Sequence, residues 1–110
     1  MLPKTLTKCN SSDIMVFMNR VSGLRAAIRQ TAAENGAEAI RVFGSVARGD
    51  DTPESDVDFL VTLKPGRTLF DLARLEVRLE AILGRRVDVV TEAALREPLR
   101  TEALREAVDV

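Results

Sequence analysis

The sequence predicts an α/β layer fold. Helix-period and strand-period segments alternate along its 110 residues without an internal repeat, and glycine or proline marks most of the junctions. A chain of this length builds one domain around one core. Residues 1–18 read as an N-terminal extension that adds nothing to the fold, because Met15 and Met18 are both usable starts. Residues 19–110 read as the single domain.

Taken in order, the first element is an amphipathic helix starting near Asp13 or Asn19 and running to Asn35. Val21, Leu24, Ile28 and Ala32 recur at three- and four-residue spacing along it, and Gly36 is placed to close it. Residues 39–43 form a short buried strand. A turn at Gly44 follows, then a short helix containing Val46 and Ala47, then a loop over 50–54 by its turn chemistry. The run DVDFLVTL, residues 56–63, is β-branched and aromatic and stops at Pro65-Gly66, which makes it a strand. Thr68 can cap the next helix, whose Leu69, Leu72, Leu75, Leu79 and Ile82 form one core-facing stripe ending at Gly84. Residues 86–90 (RVDVV) make a third strand. Beyond it the sequence predicts a short helix capped by Thr91 and ending before Pro98, another turn or two over 98–105, and an edge strand over 107–110.

Composition removes whole classes of chemistry. There is no histidine, which excludes Ser-His-Asp and Cys-His catalysis and every histidine-ligated zinc site. Cys9 is the only cysteine, so no internal disulfide forms and the chain suits a reducing cytoplasm. No apolar run approaches the roughly 20 residues that span a bilayer. Formal net charge is -1, and the arginines are spread through helical segments as solvated faces, so no direct nucleic-acid binding is expected.

The chemistry is concentrated in GSVARGDDTPESDVDFLV, residues 44–61. Residues two apart on a strand share a face, about 6.6 Å apart along it, so Asp56 and Asp58 present two carboxylates side by side. Val57, Phe59 and Val61 point the other way, into the core. Asp88 interrupts the third strand in the same manner, and pairing that strand beside the second brings a third carboxylate to the same edge. Three hard oxygen ligands without histidine or thiolate suit Mg²⁺ or Mn²⁺. Magnesium so held completes its shell with water and substrate phosphate. Gly44-Ser45, where a strand turns into a helix, exposes free backbone N–H groups and lets a phosphate approach closely. Ser45 adds a hydroxyl, and Arg48 can clamp a phosphate oxygen as a charged fork.

Each piece alone is an ordinary turn or a solvated strand end. The six fixed letters of Gly-Ser, Arg-Gly and Asp-x-Asp together arise by chance about once in ten million start positions. Over residues 40–90 the sequence resembles the polymerase-beta-type nucleotidyltransferases, and its GSxARG form and short length resemble their minimal members, the antitoxin partners of HEPN toxins. That resemblance implies a polymerase-beta-like palm, a small mixed β-sheet with helices packed on it. It implies that Gly44 and Ser45 hold the triphosphate with Arg48 assisting, and that Asp56, Asp58 and Asp88 bind two Mg²⁺ ions, with Asp88 also helping to deprotonate an acceptor. It further implies an enzyme that transfers AMP from ATP to a tyrosine of a HEPN toxin bound as a hetero-oligomer. A non-catalytic antitoxin that neutralises its toxin by occlusion is the rival expectation. The chain contains no tyrosine, so any tyrosine acceptor belongs to another chain.

Overall fold

The computed structural model describes residues 22–52 and 54–110. Helix α1 spans Ser22–Glu34, β1 Ala37–Phe43, α2 Ser45–Arg48, β2 Val57–Leu63, α3 Leu69–Leu83 and β3 Val87–Thr91. A 3₁₀ turn at Glu92–Ala94, helix α4 (Leu99–Glu106) and β4 (Val108–Asp109) complete the chain. The expected helix start near Asp13 or Asn19, the contribution of Val21 and the N-terminal extension lie outside the described residues.

The four strands form one mixed sheet in the order β3-β2-β1-β4. β1 pairs antiparallel with both β2 and β4, while β2 and β3 run parallel. A parallel pair needs a crossover, and α3 supplies it. Thr68 and Asp71 close a reciprocal capping box at its start: the Phe70 N–H donates to Thr68 Oγ1 (3.2 Å) and the Thr68 N–H to Asp71 Oδ2 (2.9 Å). Gly84 ends the helix in the left-handed conformation.

The two faces of the sheet carry different cores because side chains alternate along each strand. On one face Val42, Val57, Phe59, Val61, Val87 and Val89 pack beneath α1 and α3, against Ile28, Leu75 and Leu79. Leu75 and Leu79 are wholly buried, which stabilises the fold by about 1.5–3 kcal/mol for each side chain. The opposite face holds a smaller cluster of Phe43, Leu60 and Ala103, with α4 as its cover.

Four expectations need correction. Leu69 is not core: it is the first residue of α3 and is 79% exposed, as is Phe70 beside it. The segment after β3 is a single 3₁₀ turn, and the Thr91 side chain makes no capping bond. Strand β2 starts at Val57, leaving Asp56 one residue ahead of the ladder. β1 starts at Ala37, two residues earlier than its sequence suggests, across an irregularity in its pairing with β2.

Candidate active site

Three elements converge where β1 ends and β2 and β3 begin. Register brings the acids together: Asp58 lies opposite Asp88 across the parallel pair and opposite Phe43 across the antiparallel one. Adjacent strands stand about 4.8 Å apart, so Asp58 and Asp88 occupy neighbouring positions on one face. Alternation places that face with Phe43 and Leu60, on the side away from α1 and α3.

Electrostatics mark Asp58 as the centre of the group. Burial, then the charges of Asp88 and Asp56, raise its carboxyl from the ordinary 3.8 to about 6, against a smaller opposing pull from Arg48. Two neighbouring carboxylates that resist ionisation of a third are a site short of positive charge, and the donor set is all hard oxygen. It therefore suits a divalent cation of the magnesium type. No three acidic side chains among the described residues already stand at metal-ligating spacing, so a cation would have to gather them. Arg86 Nε sits 3.6 Å from Asp56 Oδ1 in a highly exposed contact.

Gly44 sets the roof of the site. Its φ of 77° and ψ of −150° fall in a region that is essentially glycine-only. A Cβ at this position would collide with the Asp58 carboxylate, so the backbone turn and the acid are in direct apposition. The N–H groups of Ser45, Val46 and Ala47 precede the first internal bond of α2, which runs from the Arg48 N–H to the Gly44 carbonyl at 3.0 Å. α2 is one turn long, so these N–H groups, more than a helix dipole, are what it offers an anion.

Arg48 does not extend freely toward this turn. Its Nη1 donates to both carboxylate oxygens of Glu106 on α4 at 3.2 Å, and its Nε reaches Asp50 Oδ2 at 3.4 Å. Glu106 is thus a neighbour of the site that local spacing could not reveal, since it lies 58 positions from Arg48. Arg85 is a second. It departs from the expected solvated arginine by binding the loop before Asp56, and the only sequence signal for it is its place in the Gly84-Arg85-Arg86 turn into β3. A separate cavity of about 330 Å³, lined by Arg29, Ala32, Ala37, Ile40 and Asp109, lies toward the start of β1 and shares no residue with the acidic group.

Residues 21–110 match the model of the nucleotidyltransferase domain family. A Methanocaldococcus jannaschii chain bearing a protein adenylyltransferase name is 42% identical over 77 residues, covering 70% of this chain and 83% of its own. Protein adenylyltransferase MntA of Thermococcus cleftensis is 36% identical over 97 residues, covering 87% of this chain and 98% of its own. Among solved structures, one described as a minimal nucleotidyltransferase superposes with a TM-score of 0.75 at 46% identity, over 84% of this chain and 95% of that one. A toxin–antitoxin structure with AMP-PNP shares the fold, with a TM-score of 0.66 at 21% identity over 77% and 70% of the two chains.

Proposed function

The chain belongs to the nucleotidyltransferase domain family, and we propose that this nucleotidyltransferase moves AMP from ATP to a tyrosine hydroxyl on a separate protein, a HEPN toxin that it silences as an antitoxin in the cytoplasm. The donor and the protein acceptor are supported by the adenylyltransferase names of relatives that this chain matches over most of their length. The toxin partner is supported by the shared fold of the toxin–antitoxin structure. The single observation that carries the reading is the registered Asp58–Asp88 pair under the Gly44 turn, with Asp58 pushed up to about 6 by burial and its acidic neighbours.

In this reading Asp56, Asp58 and Asp88 would hold one or two Mg²⁺ ions. Bound there, magnesium would neutralise the triphosphate and acidify the attacking hydroxyl. Gly44 admits the triphosphate against the backbone, Ser45 donates its hydroxyl, and the N–H groups of Ser45 to Ala47 orient phosphate oxygens. Arg48 adds a charge-assisted bond once its fork is shared between Glu106 and the nucleotide. Asp88, on the edge strand β3, would help take the proton as the hydroxyl oxygen bonds to the α-phosphorus. The bond to the bridging oxygen breaks, and pyrophosphate leaves in line. Positioning and charge neutralisation supply most of the rate, which is why few side chains suffice.

Calorimetric titration of ATP with and without Mg²⁺ tests the site. The Asp56→Asn, Asp58→Asn double variant removes ligand charge at nearly constant volume and should lose the magnesium-dependent part of binding with its fold intact. Equal magnesium-dependent binding by variant and parent would sink the assignment.

A further inference from the structure

We propose that Arg85 is a positioning residue that clasps the loop ahead of Asp56 and thereby sets the affinity of the acidic site for a divalent cation without touching it. The inference rests on the functional reading above and deepens it. Arg85 leaves the turn between α3 and β3 and reaches back 30 to 34 positions. Its Nη2 donates to the Ser55 carbonyl at 2.6 Å and the Thr52 carbonyl at 3.0 Å, and its Nη1 reaches Asp51 Oδ2 at 3.4 Å. The side chain is 23% exposed, as is that of Asp51, so the contact is shielded rather than a surface ion pair.

What it holds is already a closed turn. The Ser55 N–H donates to the Thr52 carbonyl at 2.9 Å, and the Thr52 N–H donates to Ser55 Oγ at 2.8 Å. Arg85 fixes that unit to the sheet through two of its carbonyls. On the other side of Asp56, the Val57 N–H donates to the Arg86 carbonyl at 2.9 Å. Asp56 precedes the first ladder residue of β2, so its own backbone has no place in the sheet. Two consecutive residues of the β3 lead-in therefore bracket it, Arg85 by side chain through Ser55 and Arg86 by backbone through Val57. Release of the Arg85 end would leave Asp56 tethered from one side only.

The sign of one measurement separates a clasp from a mere charge. Removing a cation near an acidic cluster strengthens binding of a divalent ion if charge is all that matters. Loss of a clasp weakens it. Titrated with Mn²⁺ alone, the Arg85→Met variant should bind about tenfold more weakly than the parent. Arg85→Lys keeps the charge, but a single ammonium cannot span three acceptors, and it should recover less than half of that loss. In parallel, amide exchange at Thr52 and Ser55 should rise at least tenfold in Arg85→Met while Val42 and Phe59 in the central strands change by less than twofold.

Unchanged or tighter Mn²⁺ binding overturns the proposal, as does exchange that accelerates evenly across the sheet. Should Arg85→Met fail to fold, Asp51→Asn, which removes only one acceptor charge, should give a two- to threefold rise in exchange confined to the same two amides. Absence of that rise would count against the clasp. A parent chain that binds neither Mn²⁺ nor ATP overturns the functional reading, and the exchange comparison then decides alone whether Arg85 holds the loop.

Discussion

At the scale of single residues, Asp58 carries a cost that the proposed cation would remove. Its carboxyl is raised from 3.8 to about 6, so between those pH values the metal-free folded state holds a proton that the unfolded chain releases. Stability contributed by this proton is complete below pH 4 and is lost as pH rises through 6. A shift of this size corresponds to about 3 kcal/mol, and solvent reaching the half-exposed site cuts that to about 1 kcal/mol. Asp58→Asn should therefore raise the melting temperature by about 4 °C at pH 7 in chelator and leave it unchanged at pH 4. Millimolar Mg²⁺ should close the gap by stabilising the parent alone. Thermal unfolding across pH 4–7, with and without Mg²⁺, checks both arms, and a variant less stable than the parent at pH 7 would contradict the repulsion.

The elements were legible where their causes are local. Thr68 and Gly84 punctuate α3 within a turn of its ends, and β-branched runs mark β2 and β3, so these came directly from the sequence, while the Asp71 half of the capping box did not. Leu69 was misread because periodicity fixes the direction a side chain takes around a helix, not whether anything lies opposite it at that height. The pairing of Asp58 with Asp88 was legible because one parallel strand pair registers them, whereas Asp56 lies one residue ahead of the ladder and its part in the group stays a proposal. Glu106 and Arg85 were not, since their partners are set by tertiary packing. The Glu106 contact changes what Arg48 is expected to do: α2 presents backbone donors to the site, while its arginine starts out tied to α4. Arg48→Ala should still weaken ATP binding by about 10- to 100-fold, the worth of a charge-assisted bond, while adenosine binding stays within twofold. Calorimetry with the two ligands reads this, and equal losses for both would make Arg48 a brace between α2 and α4 with no part in phosphate binding.

On the scale of the whole molecule, the site lies open on one side. Asp88 sits on β3, an edge strand of the sheet, and α4 covers the same face through Phe43, Leu60 and Ala103 without closing over the acids. Among the described residues nothing forms a second lobe to grip an acceptor, and the 110-residue sequence contains no tyrosine. In the proposed reaction a tyrosine acceptor therefore lies on another chain, whose surface would complete the site. Incubated alone with labelled ATP and Mg²⁺, the protein should show no tyrosine labelling. Adding the toxin partner should increase the partner's mass by one AMP per modified site, and the Asp56→Asn, Asp58→Asn variant should abolish the increase while still forming the complex. Neutralisation by occlusion predicts the reverse in cells: the double variant would suppress toxicity at parental strength with no mass change on either chain. Because the variant neutralises two carboxylates and leaves every other side chain in place, binding and chemistry can be separated in one experiment, and full rescue by the double variant would decide for occlusion.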